Sequence, residues 1–231
     1  MIQTLKKDET LEDLGEHGLK IIQAKNSYRF TQDAILLTKF VKLRNDEKII
    51  DLGSGSGIIP ILLAFKQSGL SIHGVEIQEE LVSMSKRSVQ INHLQKLIHI
   101  IHGDIKNIRN IYQSNQFDVA ISNPPYISLG KGIIHSVNSR SIARHELKCN
   151  INDIISACSY LLKDKGRIYL IFKTSRLVEL FLILEKYGIE PKMIKFVHFE
   201  KQRRADVFLI EGVKGGKREL KVEKPLLIRD E

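Results

Sequence analysis

The stretch from Lys48 to Leu63 restricts the fold more than any other. Lys48-Ile49-Ile50-Asp51-Leu52 is an apolar run of strand length, and it passes directly into Gly53-Ser54-Gly55-Ser56-Gly57. Ile58-Ile59-Pro60-Ile61-Leu62-Leu63 follows, with a proline in the first turn, where a helix has no use for its N–H. Strand, glycine-rich turn and helix begin a Rossmann-like unit. The glycines let the backbone approach a ligand closely. A dinucleotide fingerprint has its third glycine one position later than Gly57, and Ile58 stands there. The spacing speaks against a pyrophosphate.

More units of the same kind follow. Ser71 to Ile77 reads as the second strand. Glu76 lies at its carboxyl end, about twenty residues past the glycines, where an acid accepts from both ribose hydroxyls. A helix follows with Leu81, Met84, Ser88 and Ile91 down one face. Leu97 to His102 is the third strand, ended by Gly103-Asp104-Ile105. His99 and His102 are three apart on that strand, face opposite ways and form no metal pair. Phe117 to Ile121 is the fourth strand, and it runs into Asn123-Pro124-Pro125-Tyr126. Each proline fixes its own φ and holds the residue before it extended. The Asn123 amide oxygen and the Pro124 carbonyl become two rigid acceptors beside the aromatic face of Tyr126. Such a corner suits a planar group with an exocyclic NH2, which donates two N–H bonds and stacks on the ring.

Further along, Asn152 is expected to cap a helix through Leu162, and Gly166 to Phe172 forms a fifth strand. Ser175 to Tyr187 reads as a helix, and Met193 to Phe199 with Ala205 to Glu211 as a closing hairpin. The expected architecture is α/β: a Rossmann-like, mostly parallel seven-stranded sheet with helices on both faces. One domain is expected, with a lead-in and helix over 1–46, a core over 47–212 and a basic tail over 213–231. Within the lead-in, short strands are expected at Leu19 to Gln23 and Tyr28 to Phe30. Thr31 is the expected N-cap of a helix to Val41 that closes one wall of a ligand pocket, with Asp33 in its first turn.

The chain has 231 residues and a formal net charge of +9. That balance favours a polyanionic partner, because basic proteins attract phosphate by counterion release. Lys131, Arg140 and Arg144 lie in a long segment, Ile127 to Lys148, read as a basic flap over the substrate. Lys214, Lys217 and Arg218 begin a tail that reads equally as solvated or as an RNA contact. The two cysteines, Cys149 and Cys158, lack metal-ligand spacing, so packing roles in a reducing, cytoplasmic location are expected. No apolar run has membrane-spanning length, and no signal-peptide core opens the chain. No metal and no obligate protein partner are expected.

Asp-x-Gly-x-Gly-x-Gly over 51–57 resembles the first motif of class I S-adenosylmethionine-dependent methyltransferases. Asn123-Pro124-Pro125-Tyr126 resembles the catalytic motif of the amino methyltransferases, which act on adenine N6, guanine N2 or a glutamine amide. The resemblance implies that Gly53, Gly55 and Gly57 wrap the amino-acid end of the cofactor and that Asp51 stands near its ammonium. It also implies that Asp104 accepts from the cofactor adenine, that Ile77 and Ile105 sandwich that ring, and that Asn123 faces both cofactor and substrate. Only some fifty residues precede Asp51, so the helical domain of the release-factor enzymes is not expected. The duplicated domain of many ribosomal guanine enzymes and the target-recognition domain of DNA enzymes are not expected either. The chain resembles the bacterial tRNA(Val) adenine-N6 methyltransferases over nearly its whole length, including Tyr28 to Leu37, Arg144-His145-Glu146, Val207 to Gly216 and Pro225-Leu226. The substrate this implies is the adenine 3′ of the anticodon of tRNA(Val). Ribosomal guanine N2, a protein glutamine, and a non-catalytic RNA-binding module of this fold remain the alternatives.

Overall fold

The computed structural model describes residues 5–15, 18–25, 32–124, 150–200 and 204–228. Its centre is a sheet of β3 (Lys48–Leu52), β4 (Ser71–Glu76), β5 (Ile98–His102), β6 (Phe117–Ser122), β7 (Leu162–Lys173), β8 (Ile189–His198) and β9 (Val207–Lys214). From the β5 edge the order is β5-β4-β3-β6-β7-β9-β8. β3 to β7 run parallel, and β9 runs antiparallel to both β7 and β8. These are the seven expected strands. Two more, β10 (Lys221–Val222) and β11 (Leu226–Leu227), bring the sheet to nine by pairing in parallel with the outer edge of β8. The tail is thus strapped along a sheet edge that would otherwise expose unpaired backbone groups.

Alternation along each strand divides the apolar residues between two cores. Ile49, Ile72, Val119 and Ile171 face α1 (Gln32–Phe40), α2 (Ile58–Leu63) and α3 (Glu79–Ile91). Ile50, Val75, Ala120 and Phe172 face α4 (Ile151–Leu161) and α5 (Leu177–Lys186). Cys158 is buried in α4 among these apolar residues. Among the described residues no helix is long and apolar enough to cross a membrane.

α4 starts two residues earlier than expected. Asn150, not Asn152, is its cap: the Asn150 side chain accepts from Asp153 N at 3.0 Å, and the Asp153 carboxylate accepts from Asn150 N at 3.1 Å. The reciprocal pair satisfies two otherwise orphaned donors, which a lone Asn152 could not do.

The lead-in is more ordered than its composition suggests. β1 (Glu9–Asp13) pairs antiparallel with β2 (Lys20–Ala24), with Glu9 opposite Ala24 and Asp13 opposite Lys20. The expected strand at 28–30 and the Thr31 cap lie outside the described residues. This hairpin docks on α3 through polar groups. Ile22 N donates to Ser88 Oγ at 2.9 Å, and Asn92 bonds both Lys20 N and Lys20 O, at 2.9 and 2.6 Å. Arg87 forks onto both Glu9 oxygens at 2.6 Å each, with both residues buried. Removing one member of such a pair strands a buried charge. Arg87→Ala is expected to destabilise the protein by about 3–5 kcal/mol, read from the urea midpoint. A loss below about 1 kcal/mol would mean that the pair is effectively solvated.

Candidate active site

The carboxyl ends of β3, β4, β5 and β6 meet at one crevice, the usual place for a ligand in an open parallel sheet. Two latches fix it. Gly53 N and Ser54 N both donate to Val75 O, at 2.9 and 3.1 Å, which ties the glycine turn to the end of β4. Ser122 Oγ donates to Leu52 O at 2.7 Å, which ties the end of β6 to the end of β3. Asn123 and Pro124 therefore emerge directly beside the glycine turn, with Asn123 half-buried and Pro124 buried. Pro125 and Tyr126 lie outside the described residues.

Gly53, Gly55 and Gly57 all have positive φ. Gly57, at +86°, forms the N-cap of α2, and a Cβ placed there would sit 2.1 Å from Ser85 Oγ. Gly57→Ala is expected to destabilise by about 2–4 kcal/mol, from left-handed strain plus the clash. Adding Ser85→Ala should recover the clash and leave the strain, a difference that thermal melts can resolve. A double variant no more stable than the single one would contradict this division.

Two carboxylates sit behind the turn. Asp51 is fully buried, and neither of its oxygens has a hydrogen-bond partner. Burial, and next the charge of Glu76, hold its carboxyl well above the usual carboxylate range. Glu76 is also buried, but its oxygens are used: Oε2 accepts from Gly55 N and Oε1 from Gln78 N, each at 2.9 Å. This acid shapes the glycine turn from behind as well as facing the crevice, a role that its position in the sequence does not reveal. Ser54, Ser56 and Ser85 add three buried hydroxyls without partners.

The remaining sequence-predicted residues fall on both sides of this picture. Ile77 follows β4, and Asp104 ends the β5 segment, with Oδ1 accepting from Lys106 N at 2.9 Å as the cap of a 3-10 turn that begins at Ile105. Asp33 is buried in the first turn of α1. Since α1 leads into the start of β3, that turn lies toward the crevice end. Lys131, Arg140 and Arg144 lie outside the described residues. Lys214, Lys217 and Arg218 lie toward the opposite end of the sheet from the crevice. Val213 pairs with Arg167 near the start of the parallel part of β7, and Arg218 meets Glu185 in the last turn of α5 at 3.6 Å. They lie about 20 Å from Asn123, the length of the six-residue β6. Lys214 is also committed, with its ammonium donating to Asn115 Oδ1 and to the carbonyls of Ser159 and Leu162 at 2.6–2.9 Å. Its role is to hold the end of α4 to the loop before β6.

Solved structures share this fold. The crystal structure of a predicted O-methyltransferase of Agrobacterium tumefaciens superposes with a TM-score of 0.67 at 20% identity, over 84% of this chain and 86% of that one. A geranyl diphosphate C-methyltransferase of Streptomyces coelicolor, solved with S-adenosyl-L-homocysteine, gives 0.57 at 12% identity, over 79% and 78% of the two chains. Both share the Rossmann-like fold of class I methyltransferases with this chain. The methyltransferase small domain model matches residues 31–185, more than half of the chain. The chain belongs to that family. Among its relatives are two proteins named tRNA1(Val) (adenine(37)-N6)-methyltransferase. The one from Aeromonas salmonicida is 27% identical over 158 residues, 68% of this chain and 64% of the relative. The one from Shewanella halifaxensis is 30% identical over 157 residues, 68% of this chain and 63% of the relative. The match thus spans a little under two thirds of those relatives' length.

Proposed function

We propose that this protein is a cytoplasmic enzyme that transfers a methyl group from S-adenosylmethionine to N6 of an adenine in tRNA, at the position 3′ of the anticodon of tRNA(Val). The observation that carries the reading is the meeting of two chemistries at one crevice. An unpartnered buried carboxylate, Asp51, and a rigid pair of acceptors, Asn123 and Pro124, emerge from adjacent strands latched by Ser122. The names of the relatives and the net charge of +9 favour tRNA as the partner.

The residues present fit the cofactor. Its ammonium would supply the hydrogen bonds that both Asp51 oxygens lack. Each Glu76 oxygen accepts one backbone N–H and keeps a lone pair for a ribose hydroxyl. The second oxygen of Asp104 would take the adenine amino group, and Ile77 and Ile105 would flank the ring. Gly53, Gly55 and Gly57 admit the amino-acid end. When bound, this cofactor supplies an electrophilic methyl on a sulfonium.

The chain's own residues would then orient the nucleophile. An adenine N6 lone pair is delocalised into its ring and attacks poorly. Accepting both of its N–H bonds at the Asn123 amide and the Pro124 carbonyl localises that pair and aims it. Tyr126 would stack on the base. The acceleration comes from orientation and preorganised dipoles. No dedicated base is required, because the methylated nitrogen sheds its proton readily. An unpaired loop base leaves its stack at low cost. Lys131, Arg140 and Arg144 are proposed to hold phosphates, so activity should fall steeply with salt.

Calorimetry should find S-adenosylmethionine bound at about micromolar affinity and NAD not bound; saturable NAD binding in the crevice would overturn the cofactor assignment. Nucleoside mass analysis of tRNA from cells with and without the protein should differ in N6-methyladenosine, and unchanged content would overturn the substrate.

A further inference from the structure

β4 and β5 stop pairing at Glu76 and His102, yet their ends remain bonded one step further. Gly103 N donates to Glu76 O at 2.9 Å, and the His102 Nε2 reaches Ile77 O at 2.9 Å. A carbonyl only accepts, so the His102 imidazole must donate through Nε2–H. The side chain stands in for a backbone N–H and extends the ladder beyond the sheet.

This extra rung lies just past the last β4–β5 pair, Glu76 with His102. Ile77 directly follows Glu76, whose carboxylate is fixed by Gly55 N and Gln78 N. Asp104 comes two residues after His102. Two bonds, Gly103 N to Glu76 O and His102 Nε2 to Ile77 O, therefore hold the ends of β4 and β5 together where the Glu76 and Asp104 carboxylates arise. We propose that His102 is a positioning residue for the nucleoside half of the cofactor. It holds the Ile77 backbone so that Glu76 and Asp104 keep the spacing of a ribose and its adenine. The proposal rests on the S-adenosylmethionine reading given above. His102 acts through the Ile77 backbone, and nothing in the sequence distinguishes it from a solvated strand-end histidine.

The consequence is a loss confined to one half of the ligand. The probes are S-adenosylhomocysteine, which carries the ammonium, and 5′-methylthioadenosine, which lacks it. In the full-length protein, His102→Ala should weaken both by the same factor, about three- to tenfold, as for one hydrogen bond lost at an organised site. KM for S-adenosylmethionine should rise by that factor while kcat at saturation stays within about twofold. His102→Gln, whose amide can donate to the same carbonyl, should recover most of the affinity. Asp51→Asn is the contrasting variant: it should weaken S-adenosylhomocysteine and spare methylthioadenosine. Unchanged affinity in His102→Ala overturns the proposal, and so does a loss that His102→Gln fails to recover. If the wild-type protein binds neither probe, the cofactor reading itself fails and this proposal falls with it.

Discussion

Asn123→Ala is expected to lower kcat by about a thousandfold while changing the affinity for S-adenosylmethionine by less than about threefold. The asymmetry follows from what the residue would do. Asn123 directly follows β6 beside the glycine turn, held there by the bond from Ser122 Oγ to Leu52 O. In the proposed mechanism its amide oxygen would be one of two acceptors for the NH2 that becomes the nucleophile. Truncation removes an interaction that strengthens as the lone pair localises, so the loss appears in the chemical step. Single-turnover methyl transfer gives kcat, and calorimetry gives the affinity. A variant that transfers methyl groups at wild-type rate would remove Asn123 from the mechanism. A variant that loses cofactor binding in proportion would make it a structural support.

Asp51→Asn is expected to strengthen the free protein and to abolish most of its cofactor binding. The buried carboxyl has no hydrogen-bond partner, and burial beside Glu76 raises its pKa well above the unfolded value. The native state therefore keeps a proton that the unfolded chain has released, and stability falls as pH rises above the usual carboxylate range. The asparagine variant carries no such loss. Its Tm should exceed that of wild type, with a gap that widens as pH is raised and a scale of about 2–4 °C per kcal/mol. The same substitution removes the carboxylate proposed above to meet the cofactor ammonium and should weaken S-adenosylmethionine at least about tenfold. Binding to wild type should release a proton, because the ammonium favours ionised Asp51. Calorimetry in buffers of different ionisation enthalpy measures that release. A variant less stable than wild type at high pH would show that Asp51 is satisfied in the free protein.

The parts of the site written in consecutive residues were legible in the sequence. Strand, glycine turn and helix over 48–63, the strand-end acids Glu76 and Asp104, and the strand running into Asn123-Pro124 are local patterns with local causes. Parallel strand order then brings them to one crevice. What could not be read depends on partners far apart in the chain. The Glu9–Arg87 pair joins residues 78 apart and turns a polar lead-in into a docked hairpin. Ser122 and Leu52 are 70 apart. Lys214 looks like one more basic residue of a tail until its ammonium is found among three acceptors from α4 and the β6 approach. Lys217 and Arg218 follow it to the far end of the sheet, because β9 runs against its neighbours. The cap of α4 was misplaced by two residues, since Asn150 and Asn152 look alike and only Asn150 has an acid at the third helical position.

The central claim is methyl transfer to one adenine amino group. Purified protein is incubated with S-adenosylmethionine bearing a deuterated methyl and with valine tRNA, and in parallel with the same tRNA carrying guanine in place of the adenine 3′ of the anticodon. The products are digested and read by mass spectrometry. Labelled N6-methyladenosine is expected from the first tRNA and none from the second. Equal label in both, or label appearing as N2-methylguanosine or on a protein glutamine, would contradict it.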